Sequence, residues 1–389
     1  MRILLLSFYY PPDIGPGPLR TKSLVDALTQ IGGKDLDIHV LTAMPNRYHS
    51  LVATAAEFEQ HDRVSIQRIT LPYHQSGMAD QAKAFLAYSR IVLKATQNKQ
   101  WDIIYATSSR LMTAALGRLI ASRCDARLYL DIRDLFTDTI EDVLAKSPLK
   151  LFIPLLRLLE HWTFRPAHRI NVVSAGFLPY VKKIAPARQP TVYTNGIDDE
   201  FVTTDFFSTG NHEKPLVLYA GNIGAGQGLH HVIPTVATAL EEHIQFKLIG
   251  DGGERKTLQH LIEVGSLSNV QILNPIPRNE LFGIYREADV LFLHLNDYKA
   301  FRKVLPSKIF EYAATGKPIL AGVGGYAADF LREQVPGVDV FEPCDTAAMQ
   351  AGLQRLLDGP RRIDRTEFCS HYLRKNIMRE MAKDILTLA

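Results

Sequence analysis

"RKVLPSKIFEYAATGKPILAG", residues 302–322, reads as a loop, a short helix and a buried strand. Pro306 suits a first helical turn, where its missing N–H costs nothing. Gly316 suits the position just past the helix end. "KPILAG" is a short apolar run closed by glycine, as expected of a strand covered on both faces. One carboxylate, Glu311, stands in an otherwise basic and apolar segment, with Ser307 and Lys308 four and three residues before it. Three polar residues on a short helix ordinarily form a solvated face. The rest of the chain offers a second meaning for them.

Working outward, the same alternation fills all 389 residues. Candidate strands lie at 2–8, 37–42, 64–69, 102–107, 127–132 and 169–174, then at 215–221, 245–250, 270–274, 289–295, 318–322 and 338–342. Short β-rich runs separated by helical stretches predict parallel sheets covered on both faces. Six strands suit one doubly wound domain, so the length and pattern predict two. The join falls near "YTNGIDDEF" (193–201), where an Asn-Gly turn meets an acidic, loop-like stretch. Residues 1–195 form the first domain and 196–370 the second. The stretch 370–388 reads as one amphipathic helix.

Composition narrows the class. With 46% hydrophobic and 22% charged residues the chain is an ordinary globular one. Cys124, Cys344 and Cys369 are far apart, giving no metal spacing and no disulfide framework, which points to a reducing cytoplasm. "MRILLLSFYYPP" is too short for a signal peptide and runs into two prolines, so it reads as a first strand. No uncharged apolar run reaches 18 residues, so no membrane span is expected. Residues 1–195 carry 24 Lys and Arg against 16 Asp and Glu, a net of +8; the remainder carries 20 against 25, a net of −5. Such asymmetry implies that the halves meet different partners. No zinc-finger spacing, helix-turn-helix signature or aromatic-interleaved basic stripe supports a nucleic-acid partner.

In doubly wound sheets ligands bind beyond the C-terminal ends of strands, and four such loops stand out. Gly15 and Gly17 lie in "PPDIGPGPLRTKSL", before a helix expected from about Leu19; they allow an anion to approach or simply make a βα turn. "AGNIGAGQGLHHVI" carries Gly221, Gly224, Gly226 and Gly228, a density suited to phosphate or to tight packing, yet it matches neither P-loop nor dinucleotide fingerprint. His230 and His231 are adjacent rather than four apart and read as helix-surface histidines, not a metal pair. "GDGGERKTL" sets Asp251 and Glu254 with Gly252 and Gly253 in a turn at a third strand end, with an ordinary capped helix start as the alternative. "LDIRDLFTD" places Arg133 and Asp134 just past a fourth, as site residues or as a structural ion pair.

Together these segments resemble the retaining glycosyltransferases of family 4. The similarity runs from the Gly15–Gly17 loop through "TNGID" (194–198), "YAGNIGAGQGL" (219–229) and "LIGDGGER" (248–255) to "LPSKIFEYAATGKPILA" (305–321). It is nearest to a bacterial branch that builds cell-surface polysaccharides, including transferases of N-acetyl-fucosamine-type sugars. The resemblance implies the GT-B fold: two Rossmann-like domains facing across a cleft, with a C-terminal helix at 371–389 returning to the first. It implies a UDP-sugar donor on the second domain and a lipid-linked or saccharide acceptor on the first, near the Gly15–Gly17 loop.

The resemblance also assigns residues. Glu311 falls at the second glutamate of the E-x7-E motif, whose carboxylate accepts from the ribose hydroxyls. Ser307 and Lys308 lie where the diphosphate is met, while Gly221, Gly250, Asp251, Arg255 and Ile276 border the nucleotide. Arg133 and Asp134 fall where relatives have a His-Asp pair near the sugar, so Arg133 departs from the pattern. The first motif glutamate is Lys303 here, and the usual diphosphate-gripping Arg and Lys are Asn222 and Gln227. Arg302, Lys303 and Lys308 are the substitutes for that charge. Transfer with retention, without a metal or other cofactor, is the implied chemistry. A non-catalytic sugar-nucleotide scaffold and a sugar-nucleotide epimerase are the rival readings.

Two helical stretches carry a further expectation. In 80–99, Lys83, Arg90 and Lys94 stack on one stripe, with Phe85, Tyr88 and Val92 facing away. "LKLFIPLLRLLEHWTF" (149–164) is leucine-rich with Lys150, Arg157 and Trp162. Both read either as core-packed helices with solvated basic residues or as a peripheral contact with anionic lipid.

Overall fold

The computed structural model describes residues 1–13, 15–45, 54–72, 78–108, 111–144, 147–207 and 213–389. They divide into two compact units, Met1–Asn195 with Arg374–Ala389, and Gly196–Leu373.

The first unit is built on β1 (Arg2–Leu6), β2 (Asp37–Ala43), β3 (Phe58–His61), β4 (Val64–Ile69), β5 (Ile103–Thr107), β6 (Arg127–Ile132), β7 (Arg169–Val172) and β8 (Thr191–Val192). Their order is β3-β4-β2-β1-β5-β6-β7-β8, parallel throughout except for β3 on β4 at the edge. β1 lies between β2 and β5 in register Ile3↔Ile38 and Ile3↔Ile103. The helices are α1 (Pro16–Ile31), α2 (Met78–Thr96), α3 (Leu111–Cys124), α4 (Phe136–Val143), α5 (Ile153–Phe164) and α6 (Leu178–Ile184). α1 carries the chain from β1 towards β2; α2, α3 and α5 carry it the opposite way along the sheet. Right-handed crossovers therefore put α1 on one face and the other three on the second.

The second unit comprises α7 (Asp199–Thr203), β9 (Leu216–Ala220), α8 (Leu229–Ala239), β10 (Gln245–Ile249), α9 (Arg255–Val264), β11 (Val270–Leu273), α10 (Arg278–Glu287), β12 (Val290–His294), α11 (Lys308–Ala314), β13 (Ile319–Gly322), α12 (Tyr326–Gln334), β14 (Val338–Phe341), α13 (Thr346–Asp358) and α14 (Thr366–His371). Its sheet, in order β11-β10-β9-β12-β13-β14, is parallel throughout.

All twelve expected strands form. β3 and β8 were not expected: the first is a polar edge strand, the second only two residues long. The stretch read as one helix over 370–388 is two, α14 and α15 (Arg374–Leu386), because Tyr372 and Leu373 pair with Ile197 instead: the Ile197 N–H donates to the Tyr372 carbonyl at 2.7 Å. α15 then packs on α1, sinking Met378, Met381, Ala382 and Ile385 into the first unit's core beside Leu24 and Leu28. α1 begins at Pro16, earlier than Leu19, since Pro16 and Pro18 both suit a first turn. α11 starts at Lys308, two residues beyond Pro306, and ends before Gly316, whose φ of +70° suits glycine.

One buried polar cluster joins four elements of the first unit. Asp131, the penultimate residue of β6, receives Arg20 bidentately (Nε to Oδ2, 2.8 Å; Nη2 to Oδ1, 2.9 Å), the Tyr105 hydroxyl (2.7 Å) and Asn171 Nδ2 (2.7 Å). Arg20 also donates to the Thr194 and Tyr193 carbonyls at 2.6 and 2.8 Å. Burial opposes both charges, yet Arg20 holds the Asp131 carboxyl below its usual range.

A second buried acid behaves differently. Glu160, on the inward face of α5, is 1% exposed and accepts from the Tyr180 hydroxyl at 2.7 Å. Burial outweighs the Tyr180 and Thr137 hydrogen bonds and the pull of Arg157, and pushes its carboxyl from 4.5 up to about 7. A folded pKa above the unfolded one means that folding is opposed increasingly as pH rises from 4.5 to 7, and constantly above. At about 1.36 kcal/mol per unit, Glu160→Gln should gain about 1–3 kcal/mol at pH 8 and little at pH 4.5. Urea midpoints at the two pH values check this.

Candidate functional site

In the second unit β9, β10 and β11 succeed one another outward, and the chain then returns to place β12 on the other side of β9. The reversal makes the C-terminal ends of β9 and β12 the topological switch point, where ligands bind in open α/β sheets. Three segments meet there.

The first is the glycine loop after β9. Asn222 Nδ2 donates to Gln227 Oε1 at 2.7 Å, so these two side chains pair with one another. The segment after β12 clamps the loop from beneath: Asn296 N–H donates to the Gly226 carbonyl (2.9 Å), and its Nδ2 to that of Ala225 (2.9 Å). His294 Nδ1–H donates to the Gln227 carbonyl (2.6 Å), while Nε2 accepts from the Cys344 N–H (3.0 Å). That arrangement needs a neutral ring, and burial provides one by lowering the pKa to about 4. Sequence reading missed His294; its signal was a lone histidine ending the apolar run "VLFLH".

The second is the turn after β10. Gly250 passes so close to the first loop that a Cβ would lie 1.7 Å from the Gly221 carbonyl oxygen, so only glycine fits. Asp251 is exposed and caps its own turn through the Gly252 N–H at 2.8 Å. Arg255 turns back to the Gly250 carbonyl at 3.1 Å. Ile276, beyond β11, is partly buried and packs on the core cluster under α11.

The third is α11 and the turn before it. The Tyr312 hydroxyl accepts from the Ala220 N–H at 3.1 Å, tying α11 to the start of the glycine loop. Lys308 Nζ donates to Glu311 Oε2 (2.7 Å) and to the Tyr285 hydroxyl (3.2 Å). Burial opposes the Lys308 charge, but Glu311 outweighs it and holds the ammonium above its usual range. Arg278, missed by sequence reading, lies in the same field and pairs with Asp198 of "TNGID". Ser307 precedes the helix without a side-chain cap bond. Arg302 is exposed and turned to Asp297 (3.2 Å) and Glu342 (3.4 Å), while Lys303 ends the turn half-buried.

In the first unit the corresponding switch point lies between β1 and β5. Gly15 and Gly17 open α1 there, and Arg133 follows β6 as expected. The two meet: a Cβ on Gly17 would stand 2.3 Å from Arg133 Nη1. Burial lowers the Arg133 pKa against the pull of Asp131 and Asp134. Asp134 is exposed beside it. Among the described residues, no group of three His, Cys, Asp or Glu could hold a metal ion, and no helix is long and apolar enough to cross a membrane.

The chain is similar to known proteins. Residues 20–196 match the glycosyl transferase 4-like domain and residues 202–375 the glycosyl transferases group 1. A protein of Escherichia coli (strain K12) whose name assigns it to colanic acid biosynthesis, the glycosyl transferase WcaI, is 30% identical over 176 residues. That match covers 44% of this chain and 43% of WcaI, so the chain spans less than half of this relative's length. Two solved structures share the fold over nearly their whole length. The Escherichia coli protein of the trehalose-6-phosphate structure, bound with UDP-2-fluoro glucose, is 13% identical with a TM-score of 0.64, covering 99% of this chain and 96% of that one. Anabaena Alr3699/HepE, in complex with UDP, is 15% identical with a TM-score of 0.61, covering 100% and 97%.

Proposed function

The chain belongs to the glycosyltransferases of the GT-B fold, and from that premise we propose that it moves a sugar from a UDP-sugar to a lipid-linked or saccharide acceptor in cell-surface polysaccharide synthesis. The observation that carries this is the Lys308–Glu311 pair tied through Tyr312 to the glycine loop. A carboxylate beside an ammonium, next to a loop of backbone N–H groups, suits a ribose joined to a diphosphate. Glu311 accepts from the ribose hydroxyls; Lys308 and Lys303 supply positive charge to the departing diphosphate. Asn222 and Gln227 offer neutral amide donors where relatives place cations. The sugar is of the N-acetylated hexosamine type, transferred with retention and without a divalent ion, and Arg133 and Asp134 serve the sugar end. The protein works in the cytoplasm, peripherally on the inner membrane face.

The test is turnover with a panel of UDP-, GDP- and dTDP-sugars, with and without EDTA. We expect UDP release, slow hydrolysis included, from a UDP-N-acetylhexosamine at a rate EDTA leaves unchanged. Binding without any turnover would instead favour a scaffold. A changed sugar released without acceptor would favour an epimerase.

A further inference from the structure

The helix α5 is built inside out. Its inward face carries Ile153, Glu160, Thr163 and Phe164, two of them polar. Leu155, Leu158 and Trp162 point to solvent at 62%, 66% and 42% exposure, and the turn before the helix adds Leu149, Leu151 and Phe152 at 41%, 80% and 59%. Positions 151, 155, 158 and 162 are spaced four, three and four, one continuous stripe. A helix folding for its own unit's benefit would turn that stripe inward. Solvated leucines scattered singly are normal; a contiguous row of this kind marks a contact surface.

The charges around it favour one occupant. Lys150, Arg157, Arg165 and, on the adjoining α6, Lys182 and Lys183 are exposed at its border, and Arg118 of α3 lies over the Trp162 ring at 5.3 Å. The acids nearby are those of α4: Asp138, Asp142 and Glu141, the last engaged by Arg157 at 2.5 Å. Neighbouring helices of the same layer add exposed Leu86, Ile91 and Met112 beside Lys83, Arg90 and Lys94. The first unit as a whole carries 28 Lys and Arg against 18 Asp and Glu, a net of +10. An apolar stripe ending in tryptophan and rimmed by cations is the pattern of a helix lying in the interface of an anionic bilayer.

We infer that the outer face of α5 and of the turn before it, from Leu149 to Trp162, is an anchor that inserts into the headgroup–acyl boundary of anionic membranes. The assignment rests on the peripheral location proposed above and names the element responsible. The insertion is hydrophobic first and electrostatic second, so salt weakens it without abolishing it.

The full chain is mixed with vesicles of phosphatidylcholine with 30% phosphatidylglycerol, at about 0.1 and 0.5 M NaCl, and sedimented. Trp101 is buried at 5% exposure, so Trp162 reports insertion. We expect cosedimentation that persists in part at high salt, a blue-shifted Trp162 emission quenched by brominated acyl chains, and an at least tenfold weaker partition for Leu151→Ser/Leu155→Ser/Leu158→Ser. These side chains are exposed, so the triple variant should keep the parent's thermal midpoint. Wild-type binding that the triple variant retains would overturn the α5 assignment and leave the peripheral location standing. No wild-type binding would overturn both. A wild-type dimer that the triple variant dissolves, with no vesicle binding, would make the face a self-association surface instead.

Discussion

Replacing Glu311 by alanine should weaken UDP binding about 10- to 200-fold, or ~1.4–3 kcal/mol. The carboxylate would lose its charge-assisted bonds to the ribose, each worth roughly 1.5–3 kcal/mol, with part recovered by water. The same change removes the 2.7 Å bond from Lys308 Nζ to Glu311 and leaves the ammonium its bond to the Tyr285 hydroxyl. The pair is partly exposed, so stability should fall by about 1 kcal/mol or less. Lys308→Ala separates the two ends of the ligand: it should weaken UDP much more than uridine, since only UDP carries the diphosphate. Calorimetric titration of both variants with both ligands decides. If Glu311→Ala binds UDP as the parent does and loses only thermal stability, the pair is structural and the nucleotide binds elsewhere.

The other large effect lies away from any ligand. Arg20→Met should destabilise the chain by about 3–5 kcal/mol, because it strands the Asp131 charge in a site with no exposure. The pH response should change sign as well. In the parent, Asp131 has a depressed pKa, so its contribution is present above the unfolded value of about 3.9 and is lost as pH falls through the folded one. In Arg20→Met only the Tyr105 and Asn171 hydrogen bonds stand against burial; burial should outweigh them and raise that pKa, so the variant should recover stability as pH drops below neutral. Arg20→Met/Asp131→Leu should restore most of the loss, since two apolar side chains leave no buried charge. Urea unfolding between pH 5 and 8 measures all three. A single variant within 1 kcal/mol of the parent would mean that water reaches Asp131 once the guanidinium is gone.

The sheets were legible because a parallel strand buried on both faces leaves an unmistakable apolar run, as "RILLL" and "VLFLH" do. β3 was not, since "FEQH" is a polar edge with nothing to bury. Asp131 is a charge inside the strand "RLYLDI" that sequence reading passed over, and its partner Arg20 lies over a hundred residues away, where only the fold brings the two together. The site's loops followed from their glycines. What those loops do with their side chains did not: Asn222 and Gln227 read as two separate substitutions, and the structure bonds one to the other. α5 shows the limit of periodicity. Its pattern announces two faces, and it takes the fold to show that Glu160 and Thr163 point in while the leucines point out.

The return of α15 to α1 has a consequence for how the chain is made. α1 ends at Ile31 and its partner begins at Arg374, about 340 residues later. At ribosomal speeds of about 5–20 residues per second, Leu24 and Leu28 wait on the order of 20–70 s for the methionines that cover them. The second unit has both its ends in hand sooner, joined by the Ile197–Leu373 bridge. It can therefore close during synthesis while the unit begun first is still unfinished. The order of completion is the reverse of the order of translation, and a chain cut after Leu373 would keep its second unit and lose the lid on its first.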